Sequence, residues 1–105
     1  MRKEIDEVIA RREFFIRGEE SAKVVVVLGR PKPDEGSIGY YCPFQIVGVG
    51  REALKYAKGI DAIQALQGAM FLIGADLDYL NNDLRGRLSW EGDDTGGLGF
   101  PSSQP

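Results

Sequence analysis

Histidine is absent from this chain of 105 residues, and cysteine occurs once, at Cys42. The absence of histidine removes the commonest general base, the usual partner of a nucleophilic serine or cysteine, and the commonest zinc ligand. A single cysteine can form no internal disulfide and offers no metal-binding spacing. The sequence therefore predicts no catalytic residues, no metal and no cofactor, and it argues against an enzyme.

Long apolar runs and a surplus of cations are also missing. No apolar stretch reaches the roughly 18 residues that a membrane-spanning helix needs, and the charged start of the chain lacks a signal-peptide core. The chain has 13 Lys and Arg against 16 Asp and Glu, a formal net charge of −3. An acidic protein is poorly suited to binding nucleic-acid phosphates as its main task. These absences predict a cytoplasmic protein that contacts no membrane, and they make nucleic acid a poor candidate partner that only the N-terminal third could bind.

The strongest pattern that is present predicts a helix over residues 60–84. Its apolar residues recur at alternating steps of three and four, as one face of an α-helix requires. Asp61 is placed to cap the helix, and Gln64 completes a capping box. The apolar face consists of Ile63, Leu66, Met70, Ile73, Leu77, Leu80 and Leu84.

A second stripe runs along nearly the opposite side of this helix. It consists of Ala65, Gly68, Leu72, Ala75 and Tyr79. A helix that only covers a sheet is polar there, so a further cover is expected: the C-terminal tail, a second copy of the chain or a different protein. Gly68 and Gly74 each cost the helix about 1 kcal/mol relative to alanine, which predicts a close neighbouring backbone.

The segments around the helix predict an antiparallel sheet. The opening segment through Arg17 fits a short helix as well as a strand, and a strand from about Val8 is favoured. Further strands are expected at 23–28, 40–49 and 54–58, with a brief fifth at 88–90. Pro43 suggests an edge position or an irregular start, and 29–39 reads as a long surface loop.

The predicted fold class is therefore α+β, an antiparallel sheet of four to five strands with one long helix packed across one face. Residues 1–105 form a single domain, with the sheet in 5–58, the helix in 60–84, and a short strand and tail over 88–101. Residues 102–105 are expected to be disordered. The sheet face away from the helix would leave apolar side chains partly exposed unless something covers it: Ile9, Phe15, Val25, Val27, Val47 and Val49.

Two functional hypotheses follow. The first is a non-enzymatic module that self-associates, as a homodimer for example, or binds another protein through the second stripe or the open sheet face. The alternative is a small-molecule-binding protein or enzyme with a site between the sheet, loop 29–39 and the C-terminal tail. Without histidine, that site would rely on carboxylates, tyrosine or arginine; its candidate residues are Arg30, Tyr40, Tyr41, Asp61 and Trp90. Nucleic-acid binding through Arg11, Arg12 and Lys23 is a weaker third hypothesis.

Two short sequence features resemble catalytic motifs but are better explained without a catalytic role. Asp94-Thr95-Gly96 spells the aspartic-protease triplet, but it lies in a polar tail, whereas such a carboxylate requires an apolar, closely packed turn. Cys42 has no cationic neighbour in the sequence, so a buried and inert thiol is expected.

Several motifs together resemble a family of short bacterial proteins known only as a domain of unknown function. They are Arg30-Pro31 with Pro33-Asp34, Cys42-Pro43-Phe44-Gln45-Ile46, the segment 59–67, Ile73-Gly74-Ala75-Asp76-Leu77 and Leu98-Gly99-Phe100-Pro101. The resemblance spans nearly the whole chain. It implies a bacterial, cytoplasmic, stand-alone domain whose folded unit includes Leu98 to Pro101, and it implies no activity, ligand or catalytic residue.

Overall fold

The computed structural model describes residues 4–48, 53–92, 95 and 97–101, within which it shows six strands and one helix. The elements are β1 (Val8–Ile16), β2 (Glu19–Gly29), β3 (Lys32–Pro33), β4 (Tyr40–Val47), β5 (Lys55–Gly59), α1 (Ala62–Asp83) and β6 (Leu88–Ser89). All strand pairs are antiparallel, so the predicted α+β fold is confirmed. The prediction missed the two-residue β3, which lies inside the expected loop. Val49 and residues 102–105 lie outside the described residues.

The pairings fix the order of the strands. β1 pairs with β2 on one side and with β6 on the other, since Phe15 lies opposite both Lys23 and Ser89. One edge of β4 pairs with β2 and then with β3, and the opposite edge pairs with β5. β2 and β3 therefore lie one after the other along the same edge of β4. The sheet runs from β5 through β4, β2 and β1 to β6.

Pro43 lies inside this sheet, so the edge position suggested for it is wrong. The pairing of β2 with β4 ends at Leu28 opposite Phe44, and β3 resumes it at Lys32 opposite Tyr41. Pro43 falls between these two pairs, opposite the break in the ladder. A residue that cannot donate a backbone hydrogen bond is best tolerated at such an interruption.

The core lies between one sheet face and α1. Alternate residues of the strands supply the sheet side, as the period of two requires. Phe14, Val24 and Val26, together with Cys42 and Phe44, are almost fully buried. The Cys42 thiol lies 3.4 Å from the carbonyl oxygen of Gly29, and burial raises the pKa of this thiol to about 11. The thiol is thus buried, as expected, and protonated at neutral pH.

The buried face of α1 is shifted from the predicted one. Its centre is a row at every fourth position, Ala65, Ala69, Ile73 and Leu77, all fully buried. Leu66, Met70, Leu80 and Leu84 pack beside this row and are partly buried. Ile63 is 68% exposed, so its assignment to the core is wrong. The cause is the size of the alanines, which let the helix axis approach the sheet closely and move the larger side chains to the flanks.

The N-terminus of α1 forms as predicted. The Asp61 side chain accepts a hydrogen bond from the backbone N–H of Gln64 at 2.8 Å. The Gln64 side-chain oxygen accepts one from the backbone N–H of Ile60 at 2.6 Å. The Asp61 half of the predicted capping box satisfies a first-turn donor; the Gln64 side chain reaches one residue beyond the cap, to the N–H of Ile60. No helix in the described part of the chain is long and apolar enough to cross a membrane.

The segment 97–101 covers one flank of α1. A Cβ added at Gly74 would collide with the backbone oxygen of Pro101, and the Phe100 ring lies 6.4 Å from that of Phe14. The expected close backbone at Gly74 is therefore confirmed, and the C-terminal tail is one of the covers of the helix. On the opposite flank, a Cβ at Gly68 would lie 3.2 Å from the Ala57 Cβ of β5.

Candidate interaction surface

The structure divides the second helix stripe into a covered and an open half. Ala65 is fully buried in the core, and Gly68 is half-buried against β5, so neither forms an open surface. Leu72 is 40% exposed, Tyr79 is 67% exposed, and Ala75 between them is exposed too. The open half therefore lies on the C-terminal part of α1.

Phe71 widens this open half. Its side chain is 44% exposed, and it lies one turn before Ala75 on the outer side of the helix. At 3.6 residues per turn, Gly74 lies on the other flank, so the tail that packs there does not reach Leu72 or Tyr79. We call Phe71, Leu72, Ala75 and Tyr79 the outer patch. Single exposed apolar residues are ordinary, but three large ones on one helix face form a contiguous surface.

A groove runs beside the outer patch, between α1 and β5. It encloses about 350 Å³. Its lining includes Phe44, Ile46 and Leu80 together with Lys55 and Tyr79. Tyr79 belongs to both the groove and the outer patch, and a shallower extension of the groove reaches Leu72. The two features therefore form one continuous surface.

The charges around this surface are mostly negative. Between Gly59 and Leu84 the chain contains no lysine or arginine. The Lys55 amine pairs with the Asp76 carboxylate across the groove at 2.8 Å. Asp78 and Asp83 form no ion pair with any described residue, and Asp83 lines the groove. Once Lys55 and Asp76 neutralise each other, two carboxylates remain: Asp83 in the lining of the groove, and Asp78 at an exposed position of α1 beside the outer patch.

The five residues of the predicted small-molecule site do not come together. Tyr40 and Tyr41 are successive residues of β4, so their side chains point to opposite faces of the sheet. Tyr40 packs against the core. Tyr41 is buried on the other face, where its ring meets the Tyr56 ring edge-on at 6.4 Å.

The other three have partners of their own. The Arg30 guanidinium lies 3.3 Å from the Glu7 carboxylate, and Asp61 caps α1. Trp90 lies beyond β6, at the opposite end of the sheet from β5, where the Arg12 guanidinium stacks over its ring at 3.8 Å. That guanidinium also donates a hydrogen bond to the Gly99 oxygen at 3.1 Å. Arg30 and Trp90 thus hold the N-terminal segment and the tail.

Two further charged residues of segment 29–39, Lys32 and Asp34, also pair within the fold. The Asp34 carboxylate is buried, lies 2.9 Å from the Lys58 amine and accepts a hydrogen bond from the Gly36 N–H at 3.2 Å. Lys32 donates to Asp6, and this hydrogen bond raises the pKa of the Lys32 amine. These contacts fasten the segment to β5 and to the N-terminus.

The open sheet face is apolar but less exposed than the outer patch. Phe15 is 38% exposed, Val25 and Val47 are half-buried, and Val27 is buried. Ile9 instead lines a second cavity, on the helix side, with Leu66, Met70, Phe71 and Pro101. Of the three cations suggested for nucleic acid, Arg12 stacks on Trp90 and Lys23 pairs with Glu13 at 3.4 Å.

Sequence reasoning missed Phe71 and the Lys55–Asp76 pair. Phe71 lies between the two stripes that the periodicity defines, so it belonged to neither. Lys55 and Asp76 are 21 positions apart, and only the packing of β5 against α1 brings them together. No local pattern signals a contact of this kind.

The fold and this surface define a small α+β domain built around one long helix. The chain belongs to the DUF6968 family, a domain of unknown function, whose model matches residues 10–102. The expected membership in an uncharacterised domain family is confirmed, and the match includes the tail that packs on Gly74. No curated protein and no solved structure matches the chain. Function is therefore argued from the geometry.

Proposed function

We propose that the protein is a non-enzymatic protein-interaction module that docks its partner on the outer patch and the adjoining groove. The observation that carries this proposal is the exposure of Phe71, Leu72 and Tyr79 on one face of α1. β5 borders Leu72 and Tyr79, and the tail borders Phe71, but both leave two fifths or more of each side chain exposed. Their exposure leaves apolar area in water that a partner would bury.

The surface has the anatomy of a docking site. Interfaces have an apolar centre that is rich in aromatic residues, with a polar rim. Here the centre holds Phe71, Leu72 and Tyr79, and the rim holds Asp78 and Asp83. A helix of 22 residues is roughly 33 Å long, which is long enough to support an interface of ordinary size.

The cellular setting is part of the proposal. The resemblance to short bacterial proteins supports a bacterial, cytoplasmic module. A homodimer through the same patch is the competing form of the interaction. We do not propose the small-molecule site, because each of its candidate residues is engaged in holding the fold together.

Site-specific photocrosslinking tests the proposed docking site. A photoreactive residue at position 72 or 79 is expected to give one discrete adduct in an extract of the source cells, because a bound partner lies against these positions. The same residue at position 15 or 38 is the matched control, since Phe15 and Ile38 are also exposed apolar positions. Adduct masses are read by gel and mass spectrometry.

The substitution Leu72→Asp supplies the second arm of this test. It is expected to abolish the adduct at position 79 while leaving the circular dichroism spectrum unchanged, because Leu72 is already 40% exposed. An adduct of twice the 11.6 kDa chain mass would identify a second copy as the occupant. Equal labelling from all four positions would contradict the proposed docking site.

A further inference from the structure

The charges of the docking surface indicate what kind of partner it fits. Resting on the function proposed above, we propose that the occupant is a cationic amphipathic helix of another protein. Its apolar side would contact the outer patch and the groove, and its lysine or arginine residues would face Asp78 and Asp83.

The first support is the distribution of charge. Apart from Lys55, whose charge Asp76 neutralises, no cation among the residues that the structure describes lines the groove. At 3.6 residues per turn, Asp83 lies about 40° from Tyr79 around the helix on one side, and Asp78 lies about 100° from it on the other. The two carboxylates therefore flank the most exposed aromatic residue of the patch. Complementary charges at such a rim select partners and speed their association.

The second support is the charge that another copy of this chain would bring. Two copies that met through α1 would place the four carboxylates of their Asp78 and Asp83 residues at one interface. Like charges placed across an interface disfavour the pairing. Asp78 and Asp83, which pair with no cation in the described ranges, thus argue against self-association through this patch and favour a partner of opposite charge.

The third support is the shape of the surface. An apolar groove that follows a helix receives another helix through apolar residues at spacings of three and four. The alternative is a strand added to the free edge of β5. That edge is only five residues long and carries Lys55 and Lys58. Short edges with lysine are a common protection against strand addition, so the geometry favours a helix.

Two designed peptides test this inference. One is an amphipathic helix of about 18 residues made of leucine and lysine, and the other has glutamate at every lysine position. Binding is measured by fluorescence anisotropy at about 20 mM and about 300 mM salt, because screening shortens the range of surface charges. We expect the lysine peptide to bind at least about tenfold more tightly at low salt, with the difference shrinking at high salt.

Matched variants distinguish the effect of the two carboxylates at the docking surface from the effect of the protein's net charge. Asp78→Asn with Asp83→Asn is expected to weaken binding of the lysine peptide about three- to tenfold. Glu20→Gln with Glu35→Gln makes the same change in net charge at exposed positions elsewhere and is expected to change affinity less than about twofold. Leu72→Ser is expected to weaken the binding of the lysine peptide, because it removes apolar contact without adding a carboxylate.

The outcomes distinguish this inference from the proposed function. If both peptides bind equally and Leu72→Ser weakens both, the charge inference fails and the docking site stands. If the lysine peptide does not bind, or binds regardless of Leu72→Ser, the inference fails. A dimer in light scattering that Leu72→Asp dissociates would make a second copy the occupant, overturning the inference while retaining an interaction function.

Discussion

Phe14→Ala is expected to lower the free energy of unfolding by about 3–5 kcal/mol, the range for removing a fully buried phenylalanine. Phe14 has no exposed surface, pairs with Val24 in the ladder and packs beside Phe100. Its loss would leave a cavity between β1, β2 and the tail. Chemical denaturation followed by circular dichroism measures the effect.

The adjacent Phe15 provides the control. It lies on the open sheet face and is 38% exposed, so Phe15→Ala is expected to cost only about 1 kcal/mol. The two variants delete the same side chain from neighbouring positions of one strand. Equal losses of stability, or a larger loss at Phe15, would contradict the assignment of the two strand faces.

A chain that ends at Gly97 is expected to lose about 2–4 kcal/mol of unfolding free energy, from the apolar area of Leu98 and Phe100 and the stacking on Arg12. Leu98 is 8% exposed, and the Arg12 guanidinium lies 5.1 Å from the centre of the Phe100 ring. The truncation also uncovers Phe14 and the Gly74 flank of α1. Thermal and chemical denaturation of both chains measure the difference.

Gly74→Ala is expected to change the free energy of unfolding in opposite directions in the full chain and in the truncated chain. In the full chain the new methyl group collides with the Pro101 oxygen, so the variant is expected to be less stable. In the chain ending at Gly97 the collision is gone, and the variant is expected to gain up to about 1 kcal/mol from better helix propensity. The same sign in both chains would contradict the packing of the tail on Gly74.

Local periodicity was sufficient to predict most of the sheet. The alternation in VIARREFFI and the β-branched run before Leu28 predict β1 and β2, because the period of two and side-chain shape act within one strand. β3 was missed because a strand of two residues is too short to show an alternation of apolar and polar residues. The break beside Pro43 depends on how β2 and β3 meet β4, which is a property of three strands.

The helix was predicted more accurately than its buried face. The cap at Asp61 is local and formed as predicted, with Gln64 bonding the N–H of Ile60 in place of that of Asp61. The face was shifted because hydrophobic patterning gives most weight to large residues, whereas close packing places Ala65 and Ala69 nearest the sheet. Gly74 did indicate one side of the packing correctly. Because glycine is unfavourable inside a helix, its presence predicted that another backbone approaches the helix there.

The candidate surface was predicted only in part. Leu72, Ala75 and Tyr79 were named from the second stripe, but Ala65 belongs to the core because β5 approaches the helix there. The groove depends on the meeting of β4, β5 and α1, which the sequence does not encode locally. The predicted ligand residues were chosen by type alone, and type does not show that Arg30 pairs with Glu7 or that Trp90 stacks on Arg12.

The most direct test of the docking surface is an amide NMR titration of the full chain with the leucine–lysine peptide. We expect the largest shift changes at Leu72, Ala75 and Tyr79 on α1 and at Lys55 on β5, with little change at Phe15 or Val47. Shift changes concentrated on the open sheet face would show that the peptide does not bind at the outer patch.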